Sequence, residues 1–198
     1  MRKVKVIVKV KYNQEQRLSM LIQKEFNNIF NWMPYRDDWS IDRNPTNEEI
    51  KSYYGNLISD LSENLLFSTY YSQDGGMGNY LEFICYPLGN DLYDGNAIMV
   101  CISLCAPIAV YGQTRLIKFN QTDYGWNFLS VDFVGIVLDE NLKEIESKIK
   151  QILSIHNINE IDKEFASRSL PTEMIDDTNY ENLNTGNQYL NGLFQHID

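Results

Sequence analysis

The chain has 198 residues and a formal net charge of −10, with 43% hydrophobic and 13% aromatic residues. This length and composition suit one globular domain with a buried core, and so acidic a surface repels phosphate backbones, which disfavours nucleic acid as a partner. No run of residues approaches the roughly 18 consecutive apolar side chains of a membrane span, so we expect no membrane partner and a cytoplasmic location.

The charge is unevenly distributed along the chain. Residues 1–33 carry seven Lys and Arg against two Glu, a balance of +5, whereas residues 157–198 carry two basic against eight acidic residues, a balance of −6. This acidity favours a basic protein as partner. The alternative is that the acidic surface serves only solubility.

The first predicted elements are a strand and a helix. Val4, Val6, Val8 and Val10 alternate with lysines, which is the period-two pattern of a strand with one buried face. Apolar residues then recur at helical spacing over residues 14–33, and Pro34 ends the run. The spacing predicts a helix there.

The loop that follows, residues 35–45, mixes aromatic residues with both signs of charge. Aromatic residues and Arg carry much of the binding energy at protein interfaces, so this loop is a candidate partner-binding surface. Its candidate residues are Tyr35, Asp37, Asp38, Trp39 and Asp42. The alternative is that Tyr35 and Trp39 fold back onto the core.

A second helix is predicted over residues 46–67. Residues 46–49 read Thr-Asn-Glu-Glu, a capping box that starts a helix. An apolar stripe follows at helical spacing. Gly55 lies within the stripe at a cost of up to about 1 kcal/mol relative to Ala, and a close helix crossing would account for it.

Four apolar runs predict an antiparallel meander between residues 79 and 139. They cover residues 80–86, 97–105, 115–120 and 126–138. Turn residues separate the runs, including Asp94-Gly95, Gly112 and residues 123–125, while Pro107 ends or interrupts the second run. The connection between the first two runs supplies a second candidate partner-binding surface, formed by Asp91, Tyr93 and Asp94.

The last run and the helix after it contain charged residues of different expected roles. Asp132 interrupts the apolar run, either as a solvent-facing strand residue, which we favour, or as a general base. Asp139 is placed to cap a third helix over residues 140–155. The pairs Glu144 with Lys148 and Glu146 with Lys150 have i,i+4 spacing, which predicts a solvated outer face.

Together these elements predict one α+β domain over residues 1–198. A mainly antiparallel sheet of about five strands would be covered by the helices near 14–33, 46–67 and 140–155. Residues 157–198 form a polar, acidic tail that we expect to pack on the domain in short pieces.

The sequence contains no recognisable catalytic, metal or cofactor motif. Cys85, Cys101 and Cys105 lie in predicted strands without CxxC spacing, so we expect buried free thiols. His156 and His196 are the two histidines, too few for a His-based metal site or triad. We therefore expect a binding protein without cofactor, metal or catalytic residues. The alternatives are a small-molecule-binding module and a carboxylate-based hydrolase.

The chain also resembles a known class of binding proteins in several segments. They are the helical segment 18–33 leading to Asp38-Trp39, the capped helix at 46–49, the strand pair over 81–104, and an ending with Leu170-Pro171, Tyr189 and Leu193-Phe194. In these features it is similar to bacterial immunity proteins, the acidic α+β antidotes encoded beside polymorphic or secreted toxins. The resemblance implies a protein that binds and neutralises a cognate toxin in the cytoplasm, and the acidity of the chain predicts that this toxin domain is basic.

Overall fold

A mainly antiparallel sheet forms the centre of the described structure, and the predicted α+β class is confirmed. The computed structural model describes residues 47–72, 80–89, 93–104, 106–118, 124–169 and 188–194. The strands β1 to β5 lie in chain order across the sheet, and β6 pairs parallel with β4. The strands are β1 (Phe67–Ser72), β2 (Tyr80–Pro87), β3 (Asp94–Ser103), β4 (Ile108–Lys118), β5 (Tyr124–Trp126) and β6 (Asn159–Glu160).

The helices of the described chain are α1 (Asn47–Ser62), α2 (Lys143–Ile155), α3 (Lys163–Ala166) and α4 (Tyr189–Leu193). Helix α1 ends before the predicted limit at residue 67 because the chain turns at Asn64, whose side-chain oxygen accepts from the Leu66 amide at 3.0 Å. Strand β1, which the sequence reading missed, begins directly afterwards. None of the described helices is both long and apolar enough to cross a bilayer.

The predicted third helix begins as a 3-10 turn, Glu140–Leu142, and continues as α2. The predicted cap is confirmed, since the Asp139 side chain accepts from the Asn141 amide at 2.9 Å. The predicted apolar stripe of α2 is also confirmed. Its members are buried at Leu142, Ile145, Ile149, Ile152 and Leu153.

Both faces of the sheet are buried, which makes three layers. Helices α1 and α2 cover one face, where Leu57 and Ile149 pack in the same cluster as Phe83, Val100 and other strand residues. Irregular chain and the short helices α3 and α4 cover the other face. That second cluster includes Ile84, Met99, Leu129, Val134, Phe165, Leu190 and Phe194.

The outer edge of β4 is covered by successive partners. Strand β6 pairs with Ile108 and Ala109, and β5 pairs with Leu116, Ile117 and Lys118. Between them Val134 forms an isolated bridge with Gly112. A Cβ on Gly112 would overlap the Phe133 carbonyl oxygen, so this close approach requires glycine. The prediction that Gly112 marks a turn is therefore wrong.

Other strand and turn predictions are also corrected. Apart from Trp126, the last residue of β5, the run 126–138 is not a strand, and its centre, Val131–Phe133, is a 3-10 turn whose N-cap Ser130 accepts from the Asp132 amide. Asp132 is exposed, as favoured, but it lies on this turn, 3.0 Å from the Lys163 ammonium. Asp94 and Gly95 open β3 instead of forming a turn.

Further corrections concern the predicted turn at residues 123–125 and the third run, residues 115–120. The described part of that run, residues 115–118, is the end of strand β4. Tyr124 and Gly125 belong to β5. Pro107 does separate two strands, as expected, but the chain after it is the start of the long strand β4. The predicted strand around Val4–Val10, the predicted helix 14–33, Cys105 and His196 lie outside the described residues.

Candidate functional site

The described structure contains Tyr93 and Asp94 from the predicted partner-binding residues. Tyr35, Asp37, Asp38, Trp39, Asp42 and Asp91 lie outside the described residues. Tyr93 and Asp94 stand at the start of β3, beside β4 and close to the chain that leads into α2. The site can therefore be built from this corner of the sheet.

Tyr93 is held in place by contacts at both ends of the residue. Its ring lies on Tyr86 with centroids 5.1 Å apart, and its hydroxyl donates to the Asn96 carbonyl oxygen at 2.6 Å. Its own carbonyl accepts from the Lys118 amide at 2.7 Å. A Cβ on Gly95 would lie 2.7 Å from the Tyr93 hydroxyl oxygen, so the ring depends on glycine there.

Asp94 is exposed and paired with a cation across the strand pair. Arg115 on β4 donates to its Oδ1 from Nη2 at 2.9 Å and from Nε at 3.1 Å. An exposed ion pair of this kind adds little stability, but it fixes the orientation of both side chains. The Asp94 carboxylate therefore has a cation beside it that partly offsets its charge.

Asp139 is a member of the site that the sequence reading identified only as a helix cap. While Oδ1 caps the 3-10 turn, Oδ2 accepts from the Asn96 side-chain amide at 2.8 Å. Gln113 also accepts from the Asp139 backbone amide at 2.9 Å, which positions this turn against β4. The capping pattern predicted Asp139, but no local signal indicates a contact with a residue 43 positions away.

The protonation states of the site follow from these contacts. Hydrogen bonds from the Asn96 amide and the Asn141 backbone N–H lower the pKa of Asp139 below its ordinary value. Burial raises the pKa of Tyr93, and the nearby carboxylates of Asp139 and Asp94 raise it further. At neutral pH the site therefore presents an ionised Asp139 beside a neutral tyrosine. We call Tyr93, Asp94, Asn96, Arg115 and Asp139 the hairpin site.

Apolar side chains are exposed beside the hairpin site. Leu138, directly before Asp139, is 68% exposed, and Leu88 is exposed just after β2. Large apolar side chains next to an ordered polar cluster are typical of the anchors of protein interfaces. The corner thus combines apolar, aromatic and acidic groups.

A second polar cluster joins α2 to β4. The predicted solvated face of the helix holds for Glu144, which is exposed, but not for Glu146, which is only 8% exposed. The predicted pair of Glu146 with Lys150 is formed at 2.8 Å. Lys143 donates to the other carboxylate oxygen at 3.2 Å, and the Tyr111 hydroxyl also donates to Glu146, at 3.3 Å. This cluster attaches the helix to the sheet.

The electrostatic environment of that cluster shifts the pKa values of two carboxylates, Glu146 and the nearby Glu160, in opposite directions. Burial raises the pKa of Glu146, but hydrogen bonds from Lys150 and Lys143 outweigh it and leave the pKa below its ordinary value. Partial loss of water around its carboxylate raises the pKa of Glu160, while the Lys150 charge opposes this rise and the Glu146 charge adds to it. Glu146 is therefore stabilised as an anion and Glu160 is not.

The described cysteines are buried free thiols, as predicted. Burial raises the pKa of Cys85 to about 12, and it also raises that of Cys101 well above its ordinary value. Both thiols stay protonated and unreactive at neutral pH. Within the described ranges, no group of three or more His, Cys, Asp or Glu residues is arranged to hold a metal ion.

A depression runs along the junction of α1 and α2. Asp60 on α1 and His156, directly after α2, lie 2.7 Å apart. His156 lines a cleft of about 190 Å³ with Tyr53, Leu57 and other residues, and Asp60 lines a wider groove of about 370 Å³. The wider groove, which we call the seam groove, includes Asp60, Glu63, Leu65, Leu66 and Lys148.

Comparison with known proteins gives no relative from which a role could be transferred. The chain matches no protein-family model, no curated protein and no solved structure. The function must therefore be inferred from the chemistry of the chain itself.

Proposed function

We propose that the chain is a non-catalytic binding protein that neutralises a cognate bacterial toxin by direct protein–protein contact, as immunity proteins do. The partner would be a basic toxin domain. The observation that carries this proposal is the hairpin site, where an ordered tyrosine stands beside an ionised carboxylate at an exposed corner.

The order of the hairpin site supports a role in binding. Tyr93 is fixed by its ring contact with Tyr86, its hydroxyl bond to Asn96 and its backbone bond to Lys118. Side chains that are already ordered lose less conformational entropy on association, which leaves more of the contact energy as affinity. Tyrosine is also among the residues enriched at interface hot spots.

The charges of the hairpin site support a basic partner. Arg115 offsets Asp94, but in the described structure the Asp139 carboxylate accepts from amide groups and not from a cation. The exposed Glu140 follows it directly. With a net charge of −10 for the whole chain, this corner would attract a basic surface and orient its approach.

The proposal is tested by co-expression with the product of the neighbouring gene. If that product is toxic and binds this chain, wild-type protein restores growth and co-purifies with it. Tyr93→Ala should then weaken binding by on the order of 2 kcal/mol if Tyr93 is a hot spot. Asp139→Asn should weaken it less, because Asn keeps the helix cap while removing the charge. Circular dichroism must show that both variants remain folded.

A matched control comes from the other side of the sheet. Glu164 on α3 is exposed and pairs with Arg168 at 3.2 Å, so Glu164→Gln removes one negative charge away from the hairpin site. This variant should protect as wild type does. A neighbouring gene product that is neither toxic nor bound would overturn the proposal.

The other predicted surface is tested in the same assay. Trp39→Ala should cost on the order of 2 kcal/mol or more if that loop holds a hot spot, whereas Asp37→Asn should weaken binding chiefly at low salt. Full protection by a chain altered at both candidate surfaces would show that the toxin uses a different face.

A further inference from the structure

Exposed aliphatic side chains surround the junction of α1 and α2. Leu65 is 89% exposed and Leu66 lies beside it, both at the end of the connection from α1 to β1. Ile155, the last residue of α2, is 62% exposed and precedes His156, which contacts Asp60. Of these three residues, Leu65 and Leu66 line the seam groove, and exposed apolar side chains beside a groove are a feature of binding surfaces.

The two depressions at this junction meet at the contact between the side chains of His156 and Asp60. His156 lines the cleft, Asp60 lines the seam groove, and their side chains are 2.7 Å apart. The floor of the cleft is formed by Leu57 and Ile158, both of which are buried. The junction therefore has two neighbouring depressions, with the contact between His156 and Asp60 lying between them.

The charge of the seam groove selects its occupant. Among its described lining residues, Glu63 and Asp60, which contacts His156, are acidic and Lys148 is basic, and Glu144 is exposed one turn before Lys148 on α2. A segment that fills this groove should therefore present apolar side chains to Leu65 and Leu66 and basic side chains to Asp60 and Glu63. An amphipathic helix with Leu and Lys or Arg at helical spacing has this chemistry.

We propose that the seam groove binds a basic amphipathic helix of the partner protein, with Leu65 and Leu66 as the apolar anchors and Glu63 and Asp60 as the charge contacts. This inference rests on the proposed function, because it assigns a second contact surface to the same toxin. Charge disfavours a second copy of this chain as the occupant, since two molecules of net charge −10 would repel each other.

The first test uses the complex with the toxin. Leu65→Ala and Glu63→Gln should each weaken binding, Leu65→Ala by about tenfold or more, without changing the thermal midpoint, because both side chains are exposed. The matched controls are Phe133→Ala and Glu164→Gln on the other side of the sheet, where Phe133 is 42% exposed. Both controls should bind as wild type does.

The outcomes separate the two proposals. If wild-type chain binds the toxin and the seam-groove variants bind equally well, the groove inference is wrong and the proposed function stands. If wild-type chain does not bind the toxin, the proposed function is wrong.

The second test keeps the groove inference falsifiable without the toxin. The probe is a fluorescent helical peptide with Leu and Lys at helical spacing, and its control is a peptide of the same composition in scrambled order. Wild-type chain should bind the ordered peptide more tightly, and Leu65→Ala should lose that preference. Equal binding of both peptides, or a concentration-dependent dimer that Leu65→Ala abolishes, would overturn the assigned occupant.

Discussion

At the scale of single residues, Glu146 is the polar side chain on which the attachment of α2 most depends. Its carboxylate accepts hydrogen bonds from Lys150, Lys143 and the hydroxyl of Tyr111, and the residue is almost fully buried. Glu146→Gln removes the charge that both lysines approach. We expect it to lower the free energy of unfolding by about 1–2 kcal/mol, less than for a fully buried pair because both lysines are half-exposed. Urea denaturation measures this loss.

The control for Glu146 is Glu164, whose pair with Arg168 is exposed. Glu164→Gln should change the free energy of unfolding by no more than about 0.5 kcal/mol. Equal losses for the two variants would mean that the buried cluster does not hold the helix.

The same residue gives the chain a defined response to pH. The pKa of Glu146 is lower in the folded state than its ordinary value of 4.5, so the folded state releases this proton more readily than the unfolded chain. Its contribution to stability is present above the ordinary pKa and is lost as the pH falls through the folded-state pKa. The difference in unfolding free energy between wild type and Glu146→Gln should therefore be constant near neutral pH and shrink below about pH 4.5.

Glu160 should have the opposite effect on the free energy of unfolding when it is measured as a function of pH. Its pKa is raised in the folded state, so its charged form costs stability above that pKa, and the cost disappears as the pH falls below the ordinary value. Glu160→Gln should leave the protein equally or slightly more stable at pH 7. A clear loss of stability at pH 7 would contradict this assignment.

At the scale of elements, replacement of glycine by alanine should have opposite effects on stability at Gly55 and Gly112. A Cβ on Gly55 would meet none of the described atoms within 4 Å, so the close helix crossing considered for it is not found. Gly55→Ala should stabilise α1 by about 0.5–1 kcal/mol because Ala has the higher helix propensity. Thermal denaturation should show a higher midpoint.

Gly112→Ala should act in the reverse direction. The new Cβ would overlap the Phe133 carbonyl oxygen and lie 2.6 Å from Leu129 Cδ1, so β4 and the 3-10 turn would have to separate. Overpacking against backbone costs typically 1–3 kcal/mol. A Gly112→Ala protein as stable as wild type would show that the turn can move away freely.

The elements that were predicted correctly follow from the apolar pattern of the sequence, whereas the elements that were missed depend on turns that interrupt that pattern. Strands β2 and β3 and helix α2 follow from apolar patterns that the fold buries directly, as at Phe83 and Ile149. Leu65 was predicted as the last residue of the apolar stripe of α1, yet it is exposed, because Asn64 turns the chain. Residues 128–134 alternated like a strand, but a turn capped by Ser130 buries Leu129 and Val134.

The candidate site was predictable to a similar extent. Tyr93 and Asp94 were predicted as partner-binding residues because their residue types favour interfaces. The contacts that order them could not be found, since Asn96 with Asp139 and Asp94 with Arg115 join residues far apart in sequence. The seam groove could not be predicted from the sequence for the same reason, because Asp60 and His156 come into contact only when α1 and α2 pack together.

At the scale of the whole molecule, the net charge of −10 should govern the speed of association with the proposed basic toxin. Long-range attraction speeds encounter and is screened when the Debye length falls from about 30 Å at 0.01 M salt to about 8 Å at 0.15 M. We therefore expect the association rate constant to fall steeply over this range while the dissociation rate constant changes little. Stopped-flow fluorescence with the purified toxin measures both.

Two variants of the hairpin site should separate the effect of charge on the association rate constant from the effect of the aromatic anchor on the dissociation rate constant. Asp139→Asn removes one charge and keeps the cap, so it should slow association and flatten the salt dependence. Tyr93→Ala removes an anchor without changing charge, so it should mainly speed dissociation. If association is independent of salt, or if Asp139→Asn changes only dissociation, then charge does not steer this complex and the contact depends on the aromatic and aliphatic anchors alone.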